Sequence, residues 1–329
     1  MRDASQYEIL YDLPRGEYAT AEVGGIRTKT IRAGASLEVE CYPLVRVGAA
    51  ADAEYTRRKK QRACQEALNR KNAAKRMTRL IEANFDETDS VVTLTYDYGA
   101  LDREHGSYAE ALERWEALGL PMSEEDARRD LNNYWRRLKT RVRQKGFRAA
   151  ELKDLYVMEP TKEPRDEDPR PLPAHWHFHC VIHAPGLSRE DIKAAWPHGT
   201  VHEDNLSLRN GDAARLGAYM AKGHSTERIG QDGRRMRRWG HSRNLVEPEI
   251  TVSDRKVSRR RAALVARDVQ QWGRDIFEQL YPGYRCVADP EVKYSDFMPG
   301  AAIYARLRRV ETTPPWQRSA RRDDGRRGT

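Results

Sequence analysis

Residues 174–186 read AHWHFHCVIHAPG, a stretch that holds four of the chain's nine histidines, at positions 175, 177, 179 and 183. Alternation decides how they are used. On a β-strand successive side chains point to opposite faces, so His175, His177, His179 and His183 share one face while Trp176, Phe178, Cys180 and Ile182 share the other. A helix would scatter the same residues around its circumference. Pro173 before the run and Pro185-Gly186 after it leave room for little more than one strand. The expectation is a strand with an imidazole face and a core face. Neutral imidazoles at i, i+2 on a strand can bind one divalent ion together. The plain alternative is a polar outer face that happens to be rich in histidine.

Composition narrows the class. The 329 residues suffice for one large domain or two ordinary ones, and 39% hydrophobic against 33% charged residues is the balance of a soluble globular chain. No stretch approaches the run of about 18 apolar residues that a membrane helix needs. MRDASQYEILYDL at the start lacks a basic-then-apolar leader pattern, so no membrane partner is expected and the expected location is the cytoplasm. Cys41, Cys64, Cys180 and Cys286 are far apart with no CxxC, which fits reduced thiols rather than a disulfide framework or a zinc knuckle. Lys plus Arg number 59 against 50 acidic residues, a net +9, with arginine clustered at 57–62, 136–148, 234–243, 255–261 and 318–327. That balance favours a polyanion such as nucleic acid, although solvated basic faces are common.

Along the chain, residues 1–50 alternate short apolar runs with glycines and read as a small N-terminal β element. Residues 52–83 carry apolar residues at helical spacing on a basic background. SVVTLTYDY (90–98) reads as a strand, and 107–145 as two helices, the second capped by Ser123 with Asp126 behind it and closed by Gly146. LKDLYVMEP (152–160) is a strand, followed by the polar, proline-rich TKEPRDEDPRPLP and then the histidine strand. SREDIKAAW reads as a helix, GTVHEDNLSL as a strand or turn, and NGDAARLGAYMAKG (210–223) as a helix. The fold class expected is α+β, an antiparallel sheet covered by helices. The domain reading is an N-terminal element over 1–50, a main domain over 51–250, a helical and basic C-terminal region over 251–311 that turns irregular past 280, and a disordered basic tail over 312–329.

Three motifs now line up: Val91-Val92-Thr93-Leu94-Thr95-Tyr96, His177-Phe178-His179-Cys180-Val181-Ile182, and Tyr219-x-x-Lys222. This ordered set resembles the HUH endonucleases. More narrowly it resembles the rolling-circle replication initiators of small phages and plasmids, related to filamentous-phage gene II and microvirus initiators. The likeness extends to Asn84-Phe85, Glu159, Trp196 to Gly199, and Trp239 to Leu245, spanning roughly residues 50–250. It implies an HUH/RRM-like nuclease core that nicks single-stranded origin DNA by tyrosine transesterification. The implied nucleophile is Tyr219, with Lys222 neutralising phosphate or helping the phenolate form. His177, His179 and Glu159 would hold Mg²⁺ or Mn²⁺, manganese being the better match to imidazole. The implied DNA contacts are Thr93, Thr95, Tyr96, His175, Arg238, Ser242 and Arg243.

The chemistry suits these residues without the family. A phenol can wait as a covalent phosphodiester, and a cation offsets charge building on the phosphate oxygens. Some relatives carry a second tyrosine directly after the lysine; Gly223 stands there, which points to a single-tyrosine enzyme. The metal pair can also be read as His175/His177, but three apolar residues after His179 match the family pattern better. Cupins and amidohydrolases also use HxH on a strand, yet the next acid after His179 is Glu190, beyond a Pro-Gly turn, and fewer than 160 residues remain for a barrel. A relaxase, a single-strand transposase or a non-catalytic basic DNA-binding protein remain as alternatives. No GxxxxGK[ST] loop is present, so unwinding and synthesis would fall to host helicase and polymerase partners.

Overall fold

The computed structural model describes residues 22–46, 62–96, 113, 116–117, 123–160, 176–208, 212–221, 239–295 and 298–310. The chain opens with β1 (Glu22–Ala33), β2 (Ser36–Arg46), α1 (Arg62–Asn84), β3 (Ser90–Thr95), α2 (Glu124–Gln144) and β4 (Lys153–Pro160). It continues with β5 (Trp176–His183), α3 (Arg189–Ala194), β6 (Val201–Asn205), α4 (Asp212–Met220) and β7 (Trp239–His241). It closes with β8 (Glu249–Ser253), α5 (Arg259–Arg267), α6 (Val269–Leu280), β9 (Tyr284–Cys286), β10 (Glu291–Ser295) and β11 (Met298–Arg309). The fold is α+β with two antiparallel sheets. It divides into two compact units, Lys60–Glu247 and the pairing of Met1–Lys59 with Pro248–Thr329.

In Lys60–Glu247 the sheet order is β6-β3-β5-β4-β7, so the histidine strand is central. Its alternation works as expected on one side: Phe178, Cys180 and Ile182 meet Val92, Leu94 and the buried stripe Ala127, Leu131, Trp135, Leu138 and Val142 of α2. Those α2 residues recur every three or four positions and so fall on one helix face. The helix starts where Ser123 Oγ accepts the Asp126 backbone N–H at 3.1 Å. The histidine side differs from the expectation. Val181, Leu155 and Val157 on that face lie under Met77, Leu80 and Ile81 of α1 and Met220 of α4, so both faces are packed and the imidazoles occupy one end of a covered face. A central strand of an α+β sheet between helices is apolar on both sides wherever helices reach it.

In the other unit β1 and β2 form the expected hairpin, turning through Gly34, whose φ of 57° suits a two-residue turn. The region after 253 has the helices α5 and α6, but past 280 it is not irregular: β9, β10 and β11 follow, and β11 pairs with β2. Ile303, Ala305 and Leu307 alternate inward against Leu37, Val39 and Cys41, and an alanine among the inward residues with arginines on the outward face makes that alternation a faint β signal. The first of the two helices read over 107–145 and the tail after 310 fall mostly or wholly outside the described residues. Cys41, Cys180 and Cys286 are buried free thiols. No helix among the described residues is long and apolar enough to cross a membrane.

Candidate active site

Register builds the site. β4 pairs with β5 so that Glu159 stands opposite His177 and Val157 opposite His179, which puts the carboxylate beside both imidazoles on one face. Glu159 Oε2 lies 3.6 Å from His177 Nε2 and 4.0 Å from His179 Nε2, and one ligand atom from each of the three falls within 4.8 Å of the others. These separations are too long for hydrogen bonds. Two ligands of one divalent ion at about 2.0–2.2 Å stand roughly 3 Å apart, so a movement of under about 1 Å by each group would bring this set onto an ion.

His179 is prepared for that role. Burial, helped by His177 and opposed by Glu159, pushes its pKa down to about 4, so the ring is neutral at pH 7 as a ligand must be. Thr93 Oγ1 lies 3.2 Å from Nδ1, and Thr93 is directly opposite His179 in the β3–β5 register. With Nδ1–H donated to that hydroxyl, Nε2 keeps its lone pair for an ion.

Tyr219 reaches the same atom from above the sheet. Its Oη is 3.3 Å from His179 Nε2, and the rings meet edge-on with centroids 5.0 Å apart. Tyr219 is 51% exposed, so its ring is open to solvent on one side. Burial of its hydroxyl and the charge of Glu159 raise its pKa, so the phenolate needs a neighbouring cation to form. The Nε2 lone pair that accepts from Tyr219 is the one an ion would use, so ion binding and this hydrogen bond exclude each other.

Helix α4 stands close enough because of Gly217. A Cβ there would fall 2.3 Å from Thr78 Oγ1 and 3.0 Å from Ala74 O and Thr78 N, so glycine lets α4 lie directly on α1. Reading the sequence alone missed both Thr93 as the support of His179 and Gly217 as the seat of Tyr219. A glycine inside a helical pattern was the signal for the second; nothing marked the first until strand pairing was known.

The other expected site residues scatter. Thr95 Oγ1 donates to Thr200 O at 3.2 Å. Tyr96 is buried under α2 and its hydroxyl donates to Asp130 at 3.1 Å. Ser242 Oγ accepts the Asp154 backbone N–H at 3.0 Å, fastening the chain after β7 to β4, and Arg243 is exposed beside it. His183, the last histidine of β5, pairs with Asp89 at 2.6 Å, away from the Glu159–His177–His179 set. His175, Lys222 and Arg238 lie outside the described residues.

Residues 89–224 match a family model of replication-associated proteins, of the ORF2 and gene II protein type. The matched span runs from the turn before β3 to just past α4 and contains Glu159, His177, His179 and Tyr219. The chain is similar to replication-associated proteins over this span, and the match supports a replication initiator. No curated protein and no solved structure matches.

Proposed function

We propose that this protein initiates DNA replication by nicking single-stranded DNA at an origin, with Tyr219 as the nucleophile. The observation that carries the reading is the meeting of Tyr219 Oη with His179 Nε2 at 3.3 Å, beside the Glu159–His177–His179 set. A solvated histidine face would have no reason to collect a neutral buried imidazole, a carboxylate and a phenol within about 4 Å of one ring nitrogen.

Held by Glu159, His177 and His179, Mg²⁺ or Mn²⁺ would neutralise charge on the scissile phosphate. Tyr219 Oη attacks phosphorus, the new P–O bond to the phenol forms, and the bond to the 3′ oxygen breaks. The phenol gives up its proton and the departing 3′ oxygen takes one, leaving a 3′-hydroxyl end and a 5′-phosphotyrosine. Lys222, three residues on in the sequence, is the cation that would favour the phenolate. Thr93 holds the His179 ring, and α1 holds α4 at the height that puts Tyr219 over β5. With Gly223 in place of a second tyrosine, one subunit has a single nucleophile for joining as well as cutting. Host helicase and polymerase would supply unwinding and synthesis. A relaxase or single-strand transposase would use the same chemistry; the upstream Val92-Thr93-Leu94-Thr95-Tyr96 favours an initiator.

Tyr219→Phe tests this, since it removes one oxygen and keeps the ring. Wild type incubated with a labelled single-stranded origin oligonucleotide and Mn²⁺ should form an adduct that survives boiling in detergent, vanishes on proteolysis and maps to Tyr219. The variant should form none. An adduct in the variant places the nucleophile elsewhere; cutting without any adduct makes water the attacking group.

A further inference from the structure

Beyond the triad, two adjoining clefts of 530 and 330 Å³ share Asn132 and Arg136 and make one groove along α2. The 530 Å³ volume is of the size that seats a small organic group. Arg128 and Arg129 line one end of the groove, Lys139 and Arg243 the other, and Arg136 lies where they join. Between them sit the rings of Trp135 and Tyr156, 6.2 Å apart.

Two details mark a built surface. Gly240 of β7 stands opposite Tyr156, and a Cβ on it would fall 2.7 Å from the phenol oxygen and 2.8 Å from Cζ, so glycine is what leaves the ring its seat. The indole N–H of Trp135 is buried with no hydrogen-bond partner among the described residues, so packing alone holds that ring beneath the groove. Asp154 also lines the groove, buried on β4. A carboxyl repels phosphate but accepts from amino groups of bases, so it suits a base more than a backbone at that point.

We propose that this groove binds single-stranded DNA, seating a base against the half-buried Tyr156, whose ring rests on the core residue Trp135, and the neighbouring phosphates on Arg136, Lys139 and Arg243. Aromatic faces between cations are the pattern by which proteins hold single strands with little sequence preference. Asp154 and Tyr156 alternate along β4 with Val157 and Glu159, so the groove opens on the opposite sheet face from the triad. β7 ends the sheet on this side, and a strand occupying both places passes around that edge. The groove thus anchors DNA flanking the cut, a role that rests on the nickase reading for its purpose but not for its binding chemistry.

The test uses the full chain carrying Tyr219→Phe, without metal, and a short fluorescent single-stranded oligonucleotide titrated at several salt concentrations. Adding Arg136→Ala with Lys139→Ala should weaken binding about tenfold or more and flatten the log K against log salt slope by about 1.4, two phosphates at roughly 0.7 each. The exposed pair Arg189→Ala with Lys193→Ala on α3 should leave the slope unchanged. An oligonucleotide carrying 5-iododeoxyuridine should photo-cross-link to the peptides of Trp135 or Tyr156. An unchanged slope, with or without weaker binding, overturns the proposal, as do cross-links confined to other peptides or tighter binding of duplex or RNA. Because no step requires cutting, loss of binding in the groove variant alongside an inactive wild type would keep the groove and sink the nickase reading.

Discussion

Replacing Gly217 with alanine tests whether the α1–α4 contact sets the position of Tyr219. The added Cβ would lie 2.3 Å from Thr78 Oγ1, about 1.1 Å inside the 3.4 Å of ordinary contact, and 3.0 Å from Ala74 O and Thr78 N, about 0.4 Å inside it. Thr78 can turn its hydroxyl away only by giving up its 2.9 Å hydrogen bond to Ala74 O, and the two backbone atoms cannot turn at all. Helix α4 must therefore lift by roughly 0.4–1 Å, carrying Tyr219 with it, and a misplacement of about 1 Å costs about 100-fold in rate. Overpacking costs about 1–3 kcal/mol, against about 1 kcal/mol recovered from alanine's better helix propensity. Rate should thus suffer more than stability. Single-turnover adduct formation with protein in excess over labelled oligonucleotide should slow about 10- to 100-fold while the thermal melt moves by a few degrees. Thr78→Ala added to Gly217→Ala removes the worst overlap and should restore part of the rate. Adduct formation by Gly217→Ala at the wild-type rate would refute the argument that this contact positions the nucleophile.

Further outcomes follow from the same geometry. Thr93→Val removes the partner of His179 Nδ1 and should lower Mn²⁺ affinity about 10- to 100-fold by calorimetry; an unaltered affinity would leave that hydroxyl without a part in the site. His177→Ala, or chelation of wild type, should abolish the adduct while sparing most single-strand binding, because basic surface and not the ion supplies sequence-independent affinity; parallel loss of both would make the histidines structural. Burial pushes the Asp154 carboxyl up to about 6 from an ordinary 3.8, against the opposing charges of Lys139 and His241. The fold therefore favours the protonated acid, and that stability is present below about 3.8 and lost as pH rises through about 6. Asp154→Asn should be more stable than wild type near pH 8 by about 3 kcal/mol, a gap that closes toward pH 4 in urea titrations. A constant gap across that range would mean the carboxyl is not the titrating group.

The period of two in HWHFHCVIH determined by itself that His177 and His179 share a face, because alternation is a property of a single strand. The cap at Ser123 and the β-rich character of the N-terminal stretch were legible for the same reason: each is settled within a few neighbouring residues. What lay beyond the sequence is everything that joins distant segments. Glu159 was a candidate because of the family likeness, but only the β4–β5 register sets it beside both imidazoles. Thr93 reaches His179 across 86 residues of chain, and the N-terminal hairpin completes its sheet with strands that begin more than 200 residues later. Tyr219 meets the histidines because a glycine lets α4 lie on α1. Hydrophobic periodicity fixes which face a segment buries, and carries no information about which partner will cover it; that choice belongs to the packing of the whole unit.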